Sequence, residues 1–87
     1  MRLPLIKHIT GFIRENDEDY IIETITTLES LIDAPSMKDE ELDVIGELLS
    51  NMSGAIEVAR MINNGKSERE ALNDFMQRVL GSIDKNK

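Results

Sequence analysis

The sequence predicts an all-α fold: a four-helix bundle-like domain with a long central third helix, formed by the 87 residues as one unit. Three observations predict it. Apolar residues recur at three- and four-residue steps through most of the chain, as on a helix that buries one face. No stretch of useful length alternates apolar and polar residues as a half-buried strand would. The periodic segments are separated by helix-ending and helix-starting chemistry, at Asn16-Asp17, Ala34-Pro35-Ser36 and Asn63-Asn64-Gly65.

The first helix is expected near residues 4–15. Pro4 suits a first turn, where its missing N–H would have had no partner, and Leu5, Ile6, Ile9, Phe12 and Ile13 form one face. Lys7 and Arg14 lie opposite, and Gly11 weakens the helix locally.

The second is expected near residues 17–33. Asn16 and Asp17 offer side-chain oxygens to its free N–H groups, and Asp17, Glu18 and Asp19 load its positive dipole end with negative charge. Ile21, Ile25, Leu28 and Ile32 form the buried stripe, widened by Tyr20, Ile22 and Leu31. Thr24 to Thr27 are β-branched and give some strand character, but the spacing prefers helix.

The third is expected near residues 37–63. Pro35 marks the boundary before it, because the residue preceding a proline resists helical geometry, and Ser36 is positioned to cap this third helix. Leu42, Ile45, Leu49, Met52, Ile56 and Ala59 step by three and four along one seam. A second row, Val44, Leu48, Ala55, Val58 and Ile62, flanks it, so the apolar arc is wide enough to be touched from two sides. Gly46, Ser50 and Gly54 fall four apart, a strip of small side chains where another backbone could approach closely. Each internal glycine costs about 1 kcal/mol relative to alanine, so either a close crossing compensates or the helix bends or breaks there. A compact monomer of this length has a radius of gyration of about 12 Å, hence a diameter of roughly 31 Å. An unbroken helix of about 25 residues runs roughly 38 Å and overhangs it.

The fourth is expected near residues 68–80. Ser67 and Glu70 make a capping box, Ala71, Leu72, Phe75, Met76, Val79 and Leu80 follow at helical spacing, Asp74 is placed to pair with Arg78, and Gly81 is expected to end the helix. Residues 82–87 are expected to form a loose tail.

The net charge is −7, and residues 15–57 hold thirteen of the seventeen acids with Lys38 as the one base. That middle repels phosphate, no basic stripe with interleaved aromatics is present, and no nucleic-acid partner is expected. With no cysteine, neither a disulfide nor a thiolate-held metal can support the small core, and oligomerisation is the remaining common route. Glu47, Glu57 and Arg60 interrupt even the longest apolar run, so no membrane span is expected. No export signal is read at the amino terminus, where Lys7 and His8 interrupt the apolar patch, and the expected location is cytoplasmic.

The chemistry-bearing residues form no catalytic signature, so no catalytic, cofactor-binding or metal-ligating residue is assigned and the chain is read as a non-enzyme. His8, the one histidine, sits at the border of an apolar face, the place of a packing residue rather than a general base. Asp17 to Asp19 begin a calcium-loop-like run, but Ile22 stands where the turn glycine belongs and Leu28 where the twelfth-position glutamate belongs. Met52, Met61 and Met76 fall at core spacing. Glu15-x-x-Glu18 and Glu40-x-x-Asp43 are similar to the acidic pairs with which all-helical nucleoside triphosphate pyrophosphohydrolases hold magnesium. A magnesium-dependent nucleotide pyrophosphohydrolase is therefore the alternative, although Glu15 and Glu18 straddle a turn and should not share a face.

The stretches LPLIKHITGFIRENDEDY, APSMKDEELDVIGELLSNMSGAIEVARMI and EALNDFMQRVLGSIDK together resemble a family of small uncharacterised bacterial proteins, classed as a domain of unknown function. The resemblance spans nearly the whole chain. It implies a stand-alone bacterial cytoplasmic domain and brings no activity or site residue.

The sequence thus reads as a self-associating interaction or adaptor module, most simply a homodimer, with a protein partner also possible. Its expected interface is Leu42, Ile45, Gly46, Leu49, Ser50, Met52, Gly54 and Ile56.

Overall fold

A computed structural model describes the backbone of residues 2–84 and the side chains of residues 2–79. It contains four helices: α1 (Leu3–Glu15), α2 (Glu18–Ile32), α3 (Asp39–Asn63) and α4 (Glu68–Asp84). Each boundary has a local cause. α1 opens at Arg2, whose carbonyl accepts from the N–H groups of Leu5 and Ile6 at 3.1 and 3.0 Å. It closes at Asn16, whose side-chain amide donates to the Phe12 carbonyl at 3.0 Å. Asp17 caps α2 by accepting from the Asp19 N–H at 3.1 Å. Gly65, with φ +111°, takes the left-handed turn that follows α3. Ser67 and Glu70 form the capping box of α4: the Glu70 N–H donates to the serine hydroxyl oxygen at 3.1 Å and the Ser67 N–H to the Glu70 carboxylate at 3.4 Å.

Three expectations are corrected. Ser36 does not cap α3; the helix opens later, with Lys38 at the N-cap, where the Lys38 N–H donates to the Glu41 carboxylate at 3.0 Å. Lysine has no acceptor to offer, so only the returning half of a capping box operates there. Gly81 does not end α4, which runs to Asp84, so residues 82–84 are helical where a tail was expected; residues 85–87 lie outside the described residues. A glycine weakens a helix without obliging it to stop. Asp74 does not pair with Arg78 but with Lys66, while Arg78 reaches Glu57 on α3.

α3 is unbroken over 25 residues and, among the described residues, is the helix that contacts all three others. The Arg2 N–H donates to Asn51 Oδ1 at 2.8 Å, and at the other end Ile13 and Arg14 share a cleft with Ala59 and Asn63, so α1 runs alongside the C-terminal half of α3. α2 runs antiparallel to α3, with Glu18 beside Arg60. α4 turns back after Gly65, and Phe75 comes to rest over Gly54.

The main core gathers where these helices overlap: Ile6, Ile9 and Ile13 of α1, Ile21 of α2, Ala55, Ile56, Val58 and Ala59 of α3, and Ala71, Leu72 and Phe75 of α4. Met52, Met61 and Met76 pack against it as partly buried side chains. Burial of such side chains contributes roughly 1.5–3 kcal/mol each, so stability is concentrated at this end of α3. The first turns of α3 have less cover, with Ile45 the buried side chain there among the described residues. Val44 lies seven residues, two turns, before Asn51 on the same face, beyond the start of α1, and is 58% exposed.

The result is flat rather than round. The radius of gyration is 14.2 Å, against about 12 Å for a compact chain of this length, and the extents are 43 × 39 × 17 Å. A depth of 17 Å admits two helix layers at most, given interaxial distances of about 8–10 Å. This is how an unbroken α3 is accommodated: α2 and the first half of α3 project as an arm from the end where α1 and α4 pack. Phe12 and Tyr20, both placed on apolar faces by sequence, are exposed and meet edge to face at 6.0 Å between ring centroids. No described helix is long and apolar enough to cross a membrane.

Candidate interaction surface

The seam of α3 is divided among three surroundings. Ile45 and Ile56 are buried, and Met52 is half-buried. Gly54 is occupied within the chain: a Cβ there would stand 2.8 Å from Phe75 Cζ and 3.5 Å from Ile6 Cδ1. The close crossing for which its lack of a side chain is suited is therefore made by α4. Gly46 and Ser50, two turns and one turn earlier, are exposed, and a Cβ on Gly46 would meet nothing within 4 Å. Leu42 and Leu49 beside them are half-buried.

Gly46, Leu49, Ser50 and Ser53 form one wall of an open groove of about 530 Å³, and Phe75, Arg78 and Val79 of α4 form the other. The Arg78 guanidinium lies 5.8 Å from the Phe75 ring centroid and pairs with Glu57, which closes one end of the groove with an ion pair. Small residues along the α3 wall, with Phe75 and Val79 facing them, give it a shape that a helix or a large side chain can enter.

Asn51 was not anticipated. It is fully buried, accepts from the Arg2 N–H at 2.8 Å and donates from Nδ2 to the Glu47 carbonyl at 2.7 Å. The signal was a gap: the row Val44, Leu48, Ala55, Val58, Ile62 skips the step at which residue 51 falls. A polar residue at the centre of an apolar arc marks a buried partner, here the start of α1. Thr10, the other fully buried polar side chain among the described residues, donates to the Ile6 carbonyl at 2.7 Å.

The acidic pairs weighed as a magnesium site are not brought together. Arg60 donates to both Glu18 carboxylate oxygens, from Nε at 3.3 Å and from Nη2 at 2.8 Å. This hydrogen-bonded pairing holds the Glu18 carboxyl below the ordinary carboxylate value and raises the Arg60 guanidinium. Glu40 and Asp43 sit at the other end of α3, roughly 25 Å or more from Arg60 at the helical rise. Among the described residues no three His, Cys, Asp or Glu side chains are grouped as a metal site. His8 is exposed and borders a second groove, of about 290 Å³, between α1 and α2, with Phe12, Tyr20 and Thr24 along its sides and Met52 beneath.

No curated protein and no solved structure matches the chain significantly. The model of the "Family of unknown function (DUF6952)" matches residues 1–84, and the chain belongs to that family.

Proposed function

We propose that the protein is a non-catalytic interaction or adaptor module that self-associates as a homodimer, its copies meeting over the strip of α3 at Leu42, Gly46, Leu49 and Ser50. The observation that carries this reading is the open groove beside Gly46: the glycine that α4 does not cover is flanked by half-buried leucine and accessible to approach. A stable dimer buries roughly 1,200 Å² or more in total, and a slab of 43 × 39 Å offers a broad enough face.

Light scattering tests it. The wild-type chain should show dimer mass at micromolar concentration. Gly46→Leu should give monomer mass with unchanged helical circular dichroism, because the added side chain fills space the partner needs and meets no atom of its own chain near Cβ. A wild-type monomer at every concentration, or an unaltered Gly46→Leu dimer, would refute the reading. Magnesium-dependent nucleotide turnover lost in Glu40→Gln would replace it with the hydrolase alternative.

A further inference from the structure

The second groove differs from the first in chemistry. It lies between α1 and α2, and a shallower hollow on α2, lined by Tyr20, Glu23, Thr24, Thr27 and Leu28, shares Tyr20 and Thr24 with it. The two adjoin at Tyr20 and Thr24 and together form a discontinuous trough. Leu31, seven residues after Thr24, lies beyond them on the same face, about three helical turns and roughly 16 Å from Tyr20. Tyr20 is 59% exposed and Leu31 39%, so both keep apolar surface open to solvent even with Phe12 against the Tyr20 ring. The threonines do not make the trough polar: Thr24 Oγ1 donates to the Tyr20 carbonyl at 2.6 Å and Thr27 Oγ1 to the Glu23 carbonyl at 3.0 Å. Their hydroxyl hydrogens are engaged within α2.

The charge on α2 has one sign. α2 carries Glu18, Asp19, Glu23 and Glu29 and no lysine or arginine. Of these, Glu18 is paired with Arg60; Asp19, Glu23 and Glu29 are exposed and form no ion pair among the described residues. A second copy of this chain is less suited to neutralise them: Arg2, Arg14, Arg60, Lys66 and Arg78 are held in ion pairs within the protomer, and Lys7, Lys38 and Arg69, exposed and in no ion pair among the described residues, lie singly on α1, just before α3 and on α4. Another acidic α2 would bring like charges together.

We infer that the trough along Tyr20, Thr24, Leu28 and Leu31 is a docking site for a cationic amphipathic helix of a different protein, of about three turns. Its apolar face lies on the stripe and its lysines or arginines reach Glu23 at the edge of the stripe and Asp19 one turn earlier. This goes beyond self-association through α3 and does not depend on it, since the residues are different.

The probe is a synthetic 14-residue Leu/Lys amphipathic helix, with a Leu/Glu peptide of the same pattern as control. Titration is followed by calorimetry, and the site is mapped by backbone amide chemical shifts. The Leu/Lys peptide should bind, should weaken with added salt, and should shift α2 resonances; the Leu/Glu peptide should not bind. Tyr20→Ser with Leu31→Ser, both at exposed positions, should weaken binding about tenfold or more while the circular dichroism and the mass stay unchanged. Gly46→Leu should change the mass and leave peptide binding alone, so failure of one proposal is separate from failure of the other. The docking site is overturned if the Leu/Lys peptide does not bind, if the double variant binds it as well as the wild type, or if the shifts map away from α2. It is also overturned if the double variant converts a dimer to a monomer, which would make the trough the contact between copies.

Discussion

The two interior glycines of α3 should respond oppositely to the same substitution. Alanine in place of glycine within a helix contributes about 0.5–1 kcal/mol through backbone entropy. At Gly46 no atom of the same chain lies within 4 Å of the new Cβ, so in the monomer, where no second copy meets that strip, Gly46→Ala should show that gain in full. At Gly54 the same methyl would stand 2.8 Å from Phe75 Cζ and 3.3 Å from Cε2. Carbon atoms prefer about 3.5–4.0 Å, so the ring must retreat by roughly 0.7 Å or more. Phe75 is 3% exposed and pressed into the core, and overpacking of this kind costs about 1–3 kcal/mol. The two alanine variants should therefore differ by about 1–3 kcal/mol, with Gly54→Ala less stable. Each kcal/mol moves the melting temperature of a domain of this size by about 4–8 °C. Urea and thermal unfolding of dilute protein, below the concentration at which copies associate, read the difference. On a Phe75→Leu background, where the ring tip is absent, Gly54→Ala should turn stabilising. If Gly54→Ala melts at or above the wild type with Phe75 in place, the account of α4 crossing α3 at this glycine is wrong.

Asn51→Ala should destabilise by about 1–3 kcal/mol, the cost of leaving the Arg2 N–H without its buried acceptor, measurable in urea. Ser67→Ala should cost about 1 kcal/mol through loss of the α4 cap, seen as a fall in melting temperature. Glu18→Gln should lower stability near neutral pH and lose its effect in acid. The Glu18 carboxyl titrates lower when folded beside Arg60 than when unfolded, so its contribution is present above the unfolded value and disappears as pH falls through the folded one. Parallel denaturation of wild type and variant from neutral to acidic pH checks this; curves that stay apart at the acid end would contradict it.

The helices were legible because their causes are local. Asp17, the Ser67–Glu70 box and Gly65 act within a few residues, and each does in the structure what its spacing implied. The seam of α3 was legible as a surface but not as an assignment of neighbours. Periodicity shows that Gly46, Ser50 and Gly54 share a strip, yet only the path of α4 decides that Phe75 covers Gly54 and leaves Gly46 open. Ion-pair choice failed for the same reason: Asp74 and Arg78 are suitably spaced on one helix, but Lys66 and Glu57 are brought beside them by the turn and by α3. Asn51 was hidden because a hydrophobic count skips a polar residue, and its meaning depends on where another helix begins.

The uneven cover along α3 gives one continuous helix two kinetic characters. Amides of residues 51–62, under α1 and α4, should exchange with deuterated solvent only when the whole domain opens, whereas those at the arm end should exchange through local fraying. A helix drawn as a single rod would then behave in solution as a fixed shaft with a loose tip, and the tip is the part left free to adjust its fit to whatever it meets.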